Sequence, residues 1–341
     1  MNARIALLTA ILIICGTGMT GGKLQAAHED HTGHSHHDHA YGPIGVMGDH
    51  THPDGARMIS YRYMFMEMNG NRDGSDRISA SEVLEDFPVS PTDMNMWMHM
   101  LGGMWAPTDE VTLMLMLPYV RNEMDHVTRM GGTFTTESEG SGDLKAAALI
   151  SLLQWGCQTI HINAGVSFPT GSIDEKDETP MGRVRLPYPM QIGSGTFDLH
   201  PGLTYLGQRD DGSWGGQVSG TVHLGENDND YTLGDRICGT TWTAYKWCEW
   251  FSSSLRVEIE SWKNISGADS RLDPTLVPTA DPDRRGGTQV DLGLGSSLLG
   301  QAGVLKGHRL AVEWEWPIYR DLDGPQLETD WVWTVGWQKT W

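Results

Sequence analysis

Two sets of residues in this sequence have the types and spacing to do chemistry. The run His28-Glu-Asp-His-Thr-Gly-His-Ser-His-His-Asp-His39 packs six imidazoles, His28, His31, His34, His36, His37 and His39, into twelve residues. Neutral imidazole is a ligand for Cu, Ni and Zn, and a flexible chain can gather three or four rings around one ion. A solvated polar linker is the plain alternative, but so dense a cluster favours metal capture. Affinity there would follow the general divalent order, so the sequence does not choose among the three metals. The second set is sulfur. Met64, Met66 and Met68 alternate, as do Met94, Met96, Met98 and Met100, and then Met114 and Met116. Thioethers suit Cu(I) and Ag(I), although Met is also an ordinary flexible apolar filler.

The elements that position these residues are strands. In the terminal segment, Trp331, Trp333, Val335, Trp337 and Trp341 share one face, and Val332, Thr334, Gly336, Gln338 and Thr340 share the other. One face in lipid, the other in a wet lumen and aromatics in interfacial girdles is the pattern of a transmembrane barrel strand. Lys339 breaks the apolar face near the end, where a long side chain can snorkel to headgroups. Twelve such strands are expected, near 57–68, 93–105, 109–121, 142–153, 158–168, 195–206, 214–224, 231–244, 250–262, 286–298, 307–317 and 329–341. Loops 69–92, 122–141, 169–194 and 263–285 are long and polar, whereas most intervening turns are short. That alternation is also a barrel property, and an even strand number puts both termini in the periplasm.

Period-two reading assigns the faces. Leu255, Val257 and Ile259 oppose Arg256, Glu258 and Glu260. Leu310, Val312, Trp314 and Trp316 oppose Arg309, Glu313 and Glu315, and Val290 and Leu292 oppose Asp291. An Arg or Lys facing mid-bilayer lipid costs about 2–4 kcal/mol, so the charged rows must face the lumen. Val111, Leu113, Leu115 and Leu117 take the lipid side, which turns Met114 and Met116 inward. Arg62 draws Met64, Met66 and Met68 inward, against the objection of Glu67. Asn95 and His99 prefer the lumen and send Met94 to Met100 to lipid. His161, His200 and His223 read inward at three different heights, a polar pore wall rather than a catalytic arrangement. Ser167 and Ser219 lack a positioned His and acid. Asn69 to Ala80 resembles a calcium loop but lacks Asp at position one and Glu at position twelve, so a polar hairpin is the better reading.

Composition agrees with an envelope address. Residues 1–27 read as a signal peptide, with a cationic start, an apolar stretch Ile5–Ile14 too short to span a bilayer, and cleavage near Ala27. Cys15 raises a lipoprotein alternative, which Ile14 disfavours. The chain has 24 basic and 44 acidic side chains, net −20. Losing Arg4 and Lys23 with the signal takes this to −22, which argues against a nucleic-acid partner. Residues 28–55 are expected to form a disordered periplasmic tail, and 56–341 one barrel domain. Cys157, Cys238 and Cys248 form no metal motif.

The segments Gly48-Asp-His-Thr-His52, Ser60 to Gly74 and Asn122 to Met130 resemble outer-membrane transporters grouped as "MetA-pathway of phenol degradation". The resemblance covers roughly residues 41–341 and implies a barrel related to channels for hydrophobic compounds. It carries over no catalytic residue. The expectation is therefore an all-β, single transmembrane antiparallel barrel of about twelve strands with a disordered His-rich amino terminus. It would be a channel or transporter linked to copper-like metals, with no resident cofactor beyond Cu, Ni or Zn on the tail. Uptake of small aromatic compounds is the first alternative, and a barrel enzyme the second. Expected partners are outer-membrane lipid, the barrel-assembly machinery reading Trp341, and a transported small molecule or metal ion.

Overall fold

The computed structural model describes residues 42–341. The signal segment and the six tail histidines His28 to His39 lie outside the described residues. Among the described residues no helix is long and apolar enough to cross a membrane, and the chain is built of antiparallel strands. In chain order the wall consists of β1 (Arg57–Gly74), β2 (Val89–Trp105), β3 (Val111–Thr128), β4 (Leu144–Trp155), β5 (Gln158–Phe168) and β6 (Phe197–Arg209). It continues with β7 (Gly212–Leu224), β8 (Arg236–Cys248), β9 (Phe251–Trp262), β10 (Gly287–Leu299) and β11 (His308–Thr340). Each pairs with its neighbour, and β11 pairs back onto β1 to close an eleven-strand barrel. Two further strands, Asp76–Ile78 and Thr133–Ser141, lie off the closed path and extend β1 and β3.

The elements number eleven rather than the expected twelve because the last two segments form one unbroken 33-residue element. Its halves run antiparallel to each other, so the wall is still crossed an even number of times and Arg57 and Trp341 lie together. The first half of β11 pairs with β10, from Leu299↔Arg309 to Gly287↔Leu322. Its second half pairs with β1, from Gly74↔Leu322 to Met58↔Thr340. The halves also meet each other: Trp314 and Trp333 stack with centroids 5.9 Å apart, and Arg309 Nη1 donates to Gln338 Oε1 at 3.1 Å. The chain reverses between the halves around Asp323-Gly-Pro325, inside the gap expected between the last two strands.

The period-two faces hold around the wall. Ile59, Leu101, Leu113, Leu115, Leu255 and Leu310 are exposed on the outside, and Ser60, Thr112, Ser252, Arg256 and Glu313 are buried inside. Trp105, Trp155, Trp247, Trp250 and Trp341 ring the short-turn end. At the other end Phe65 packs between Trp97 and Trp331, with centroids 5.5 and 5.1 Å away. β1, β2 and β3 are 17 or 18 residues long, beyond the roughly 9–11 a tilted strand needs to cross. Their surplus runs past the second aromatic belt. That explains Glu67, which pairs with Asn95 on the outer face beyond Phe65, where water replaces lipid.

The calcium-like segment is the expected hairpin, with Asn71↔Ile78 and Asp73↔Asp76 paired. The following helix α1 (Ala80–Asp86) starts in a capping box between Ser79 and Glu82. The long loops fold over their mouth of the barrel: Leu186 and Met190 pack against Met94 and Met124, and Tyr188 against Tyr231 and Ile265. Cys157, Cys238 and Cys248 are free thiols.

Candidate functional site

The lumen is where the site lies, and its first component is backbone. Residues 42–52 are expected to continue an aperiodic tail; instead they run inside the barrel, with Ile44, Val46, Asp49, His50 and His52 all buried. Non-local hydrogen bonds hold the segment. Arg309 Nη2 donates to Gly42 O at 2.6 Å, Gly45 N donates to Glu313 Oε2 at 2.9 Å, and His52 N donates to Thr112 Oγ1 at 2.9 Å. Gly48, at φ +64, turns the chain and presents its carbonyl to His161 Nε2 at 2.9 Å and Asn163 Nδ2 at 3.2 Å. Gln217 Nε2 donates to Met47 O at 3.1 Å. Each such bond contributes about 0.5–1.5 kcal/mol net. Together with the buried Ile44 and Val46 they make this segment a plug.

One wall of the lumen is charged, as its strand pattern predicts. Arg256, 3% exposed, sits among three carboxylates: Glu313 at 2.6 Å, Glu315 at 2.5 Å and Glu258. Glu260 pairs with Arg236 at 3.5 Å, and Asp291 accepts from Gln289 at 2.9 Å. Arg309 bonds Ser297 besides Gln338 and the plug. Nearer the long-loop end, Glu328 receives Arg72 at 2.6 Å, Arg77 at 2.7 Å and Arg320 at 3.3 Å, a cluster the sequence reading missed. Arg72 and Arg77 come from β1 and the short strand after it, and Arg320 from β11, which β1 meets only on closure.

A second wall, on β1 to β3, is sulfur. Register pairs Met64 with Met98, Met66 with Met96, Met68 with Met94 and, decisively, the inward Arg62 with Met100. The β2 methionines therefore point into the lumen, overturning the expectation that they face lipid. Asn95 and His99 misled: His99 is on the outside, its Nδ1 2.7 Å from Tyr61 Oη and its ring against Tyr63. Met114 and Met116 pair with Met104 and Gly102 and point inward as expected. Met58, Met104 and Leu149, with Met114 against them, form a core at the short-turn end. Met94 and Met124, with Met68 and Met96, form another beneath the long loops. Thioethers thus run along β1, β2 and β3 from one mouth to the other.

The inward histidines divide differently from the expectation of three separate heights. His161 is fully buried on the plug carbonyl. His200 and His223 instead share one network, because strand pairing sets Asp198 opposite both Ser167 and His223. Asp198 Oδ1 lies 2.7 Å from His223 Nδ1, Ser167 Oγ donates to Asp198 Oδ2 at 2.9 Å, and His200 Nε2 lies 3.2 Å from Ser167 Oγ. Ser167 directs its proton to the carboxylate rather than to an imidazole base. This is a braced polar wall, not a nucleophile–base pair.

On the plug, burial would raise the Asp49 carboxyl, but His50 at 2.7 Å, with Arg309 and Arg62, holds it down to about 2. Burial and the neighbouring His50 push His52 down to about 3, against the opposing pull of Asp49. His52 is therefore neutral, and its Nε2 is buried without a hydrogen-bond partner. The two rings meet edge-on, with centroids 4.8 Å apart.

No family model matches this chain, and no curated protein does. Among solved structures, it is similar to an outer-membrane channel from Pseudomonas putida F1, with TM-score 0.61, 11% identity, and 87% of this chain and all of that one covered. At such identity the likeness shows the fold, that of an outer-membrane barrel. The KdgM porin (TM-score 0.39, 10% identity, 83% of this chain and 98% of that one) and a Pseudomonas aeruginosa FadL homologue (0.39, 11%, 84% and 89%) are looser matches that carry no argument.

Proposed function

We propose that this protein is an outer-membrane channel that passes soft, copper-like metal ions, with both termini in the periplasm. The observation that carries the reading is the continuous inward methionine wall of β1, β2 and β3, in the same lumen as the carboxylates of β9 to β11. Thioethers bind Cu(I) and Ag(I) weakly enough one at a time to allow transfer, and the carboxylates lower the cost of a cation in the lumen. The six tail histidines would gather Cu(II), Ni(II) or Zn(II) on the periplasmic side. An aromatic-uptake channel would not need this much sulfur, since Leu or Phe would line it as well.

A second reading has one observation in its favour. An open apolar groove of about 950 Å³ on the β1–β5 side is lined by Ile59, Trp105, Leu113 and Leu115 together with Met58 and Met104. Small hydrophobic compounds could lodge there. Copper and silver accumulation, measured beside growth on aromatic compounds, separates the two in cells lacking the gene and cells carrying wild type or Met114→Leu/Met116→Leu. Metal accumulation that follows the gene and falls in the double variant supports the metal reading. Unchanged metal handling with lost aromatic growth puts the second reading first.

A further inference from the structure

A small cavity lies between the plug and the methionine wall. Met58, Met100, Met104, Met114 and Met116 line it from β1, β2 and β3, and the plug closes it with Gly48, Asp49 and His50. Its volume is about 20 Å³, room for about one water-sized particle. Gly102 keeps the floor open: a Cβ there would lie 2.5 Å from Ser60 Oγ and 3.8 Å from Met116 Cγ. Met58, Met104 and Met116 are each under a tenth exposed. A purely packing role would close this space, because methionine is the side chain best able to fill an irregular gap.

We propose that this cavity is a resting site for one Cu(I) or Ag(I) ion, ligated by thioethers from the five methionines and capped by the plug. The proposal rests on the metal reading above and deepens it by naming the oxidation state and the place. Ligand type decides the ion. Five thioethers suit soft Cu(I) or Ag(I) rather than Cu(II) or Zn(II), and the Asp49 carboxylate on the plug side offsets the Arg62 guanidinium that borders the same cavity. The site is complete only while the plug is docked, so occupancy would also favour the docked plug by mass action.

The test uses the full chain in detergent, with the six tail histidines changed to Asn so that imidazole cannot mask the result. Cu(I), under reductant and in competition with a chromogenic Cu(I) chelator, is titrated into this protein and into its Met104→Leu/Met114→Leu/Met116→Leu derivative. We expect one equivalent bound, sulfur neighbours in the copper X-ray absorption spectrum, and affinity at least about tenfold weaker in the leucine derivative. Should that derivative fail to fold, Ag(I) protection replaces it. Peroxide converts Met to its sulfoxide, and Ag(I) should shield the five cavity methionines while leaving the exposed Met130 and Met181 reactive. No copper retained against the chelator, a sulfur-free shell, or equal oxidation with and without Ag(I) overturns the site. Sulfur-bound copper with unchanged metal accumulation in cells overturns the transport reading and leaves the site standing. Altered accumulation without sulfur-bound copper does the reverse.

Discussion

Acid should undock the plug, and His52 sets the magnitude. In a released, solvated segment this imidazole titrates near 6.5; docked, burial holds it near 3. Its folded value is depressed, so the docked state binds fewer protons. The associated stability is fully present above 6.5 and is lost as the pH falls toward 3. Each pH unit below 6.5 costs about 1.36 kcal/mol. At pH 5 that is about 2 kcal/mol, a roughly thirtyfold shift toward release, and near pH 3 the loss levels off at about 5 kcal/mol. Two or more plug hydrogen bonds are offset at pH 5, taking about 1 kcal/mol for each. Of the groups facing His52, His50 adds to the effect and the Asp49 carboxylate opposes it; Asp49 stays ionised until the pH falls toward 2. Planar-bilayer conductance from pH 7.5 to 4.5 reads the outcome. Wild type should open increasingly below pH 6.5, and His52→Gln should respond weakly whatever its starting level. A flat wild-type profile, or an identical acid response in His52→Gln, would show that His52 does not hold the plug.

Other consequences follow from the same contacts. Arg256→Met leaves the buried Glu313 without its cation and should lower urea stability in vesicles by about 3–5 kcal/mol. Adding Glu313→Gln should recover much of that, whereas a loss under about 1 kcal/mol would put the pair in the solvated class. Changing Asn163 and Gln217 to Ala removes two donors to the plug backbone and should raise basal conductance at pH 7.5; unchanged conductance would mean these bonds do not hold it. Trp341 exchanges backbone hydrogen bonds with Arg57 across the closure, 2.9 and 3.2 Å, and exposes its ring. Deleting it should reduce the heat-modifiable barrel in outer-membrane fractions, and normal assembly would contradict a role for that residue in recognition.

Much of the wall was legible in the sequence because a strand's side-chain period is two and lipid penalises charge. Arg256, Glu258, Glu313 and Met114 were placed on the correct face by that rule alone. It failed on Met94 to Met100 because it assumes that polar residues outside the lumen must meet lipid. His99 escapes by bonding Tyr61, and Asn95 lies on strand that continues past the bilayer. Pairing with Arg62 settles the face, and register is not written in one strand's composition. The plug was missed because its partners Glu313, Gln217, His161 and Arg309 are distant in sequence and its own pattern has no period. Ile44 and Val46, alternating aliphatics in a polar stretch, were the available signal.

Conduction of soft ions along the methionine wall can be read in sealed vesicles containing the purified barrel. Ag(I) and Na⁺ entry are measured for wild type and for Met96→Leu/Met98→Leu/Met100→Leu, in which volume is conserved and packing should change by under about 1.5 kcal/mol per site. Ag(I) entry should fall at least about tenfold in the variant while Na⁺ entry is unchanged, because the thioether path is interrupted. Equal Ag(I) entry through both proteins would contradict it.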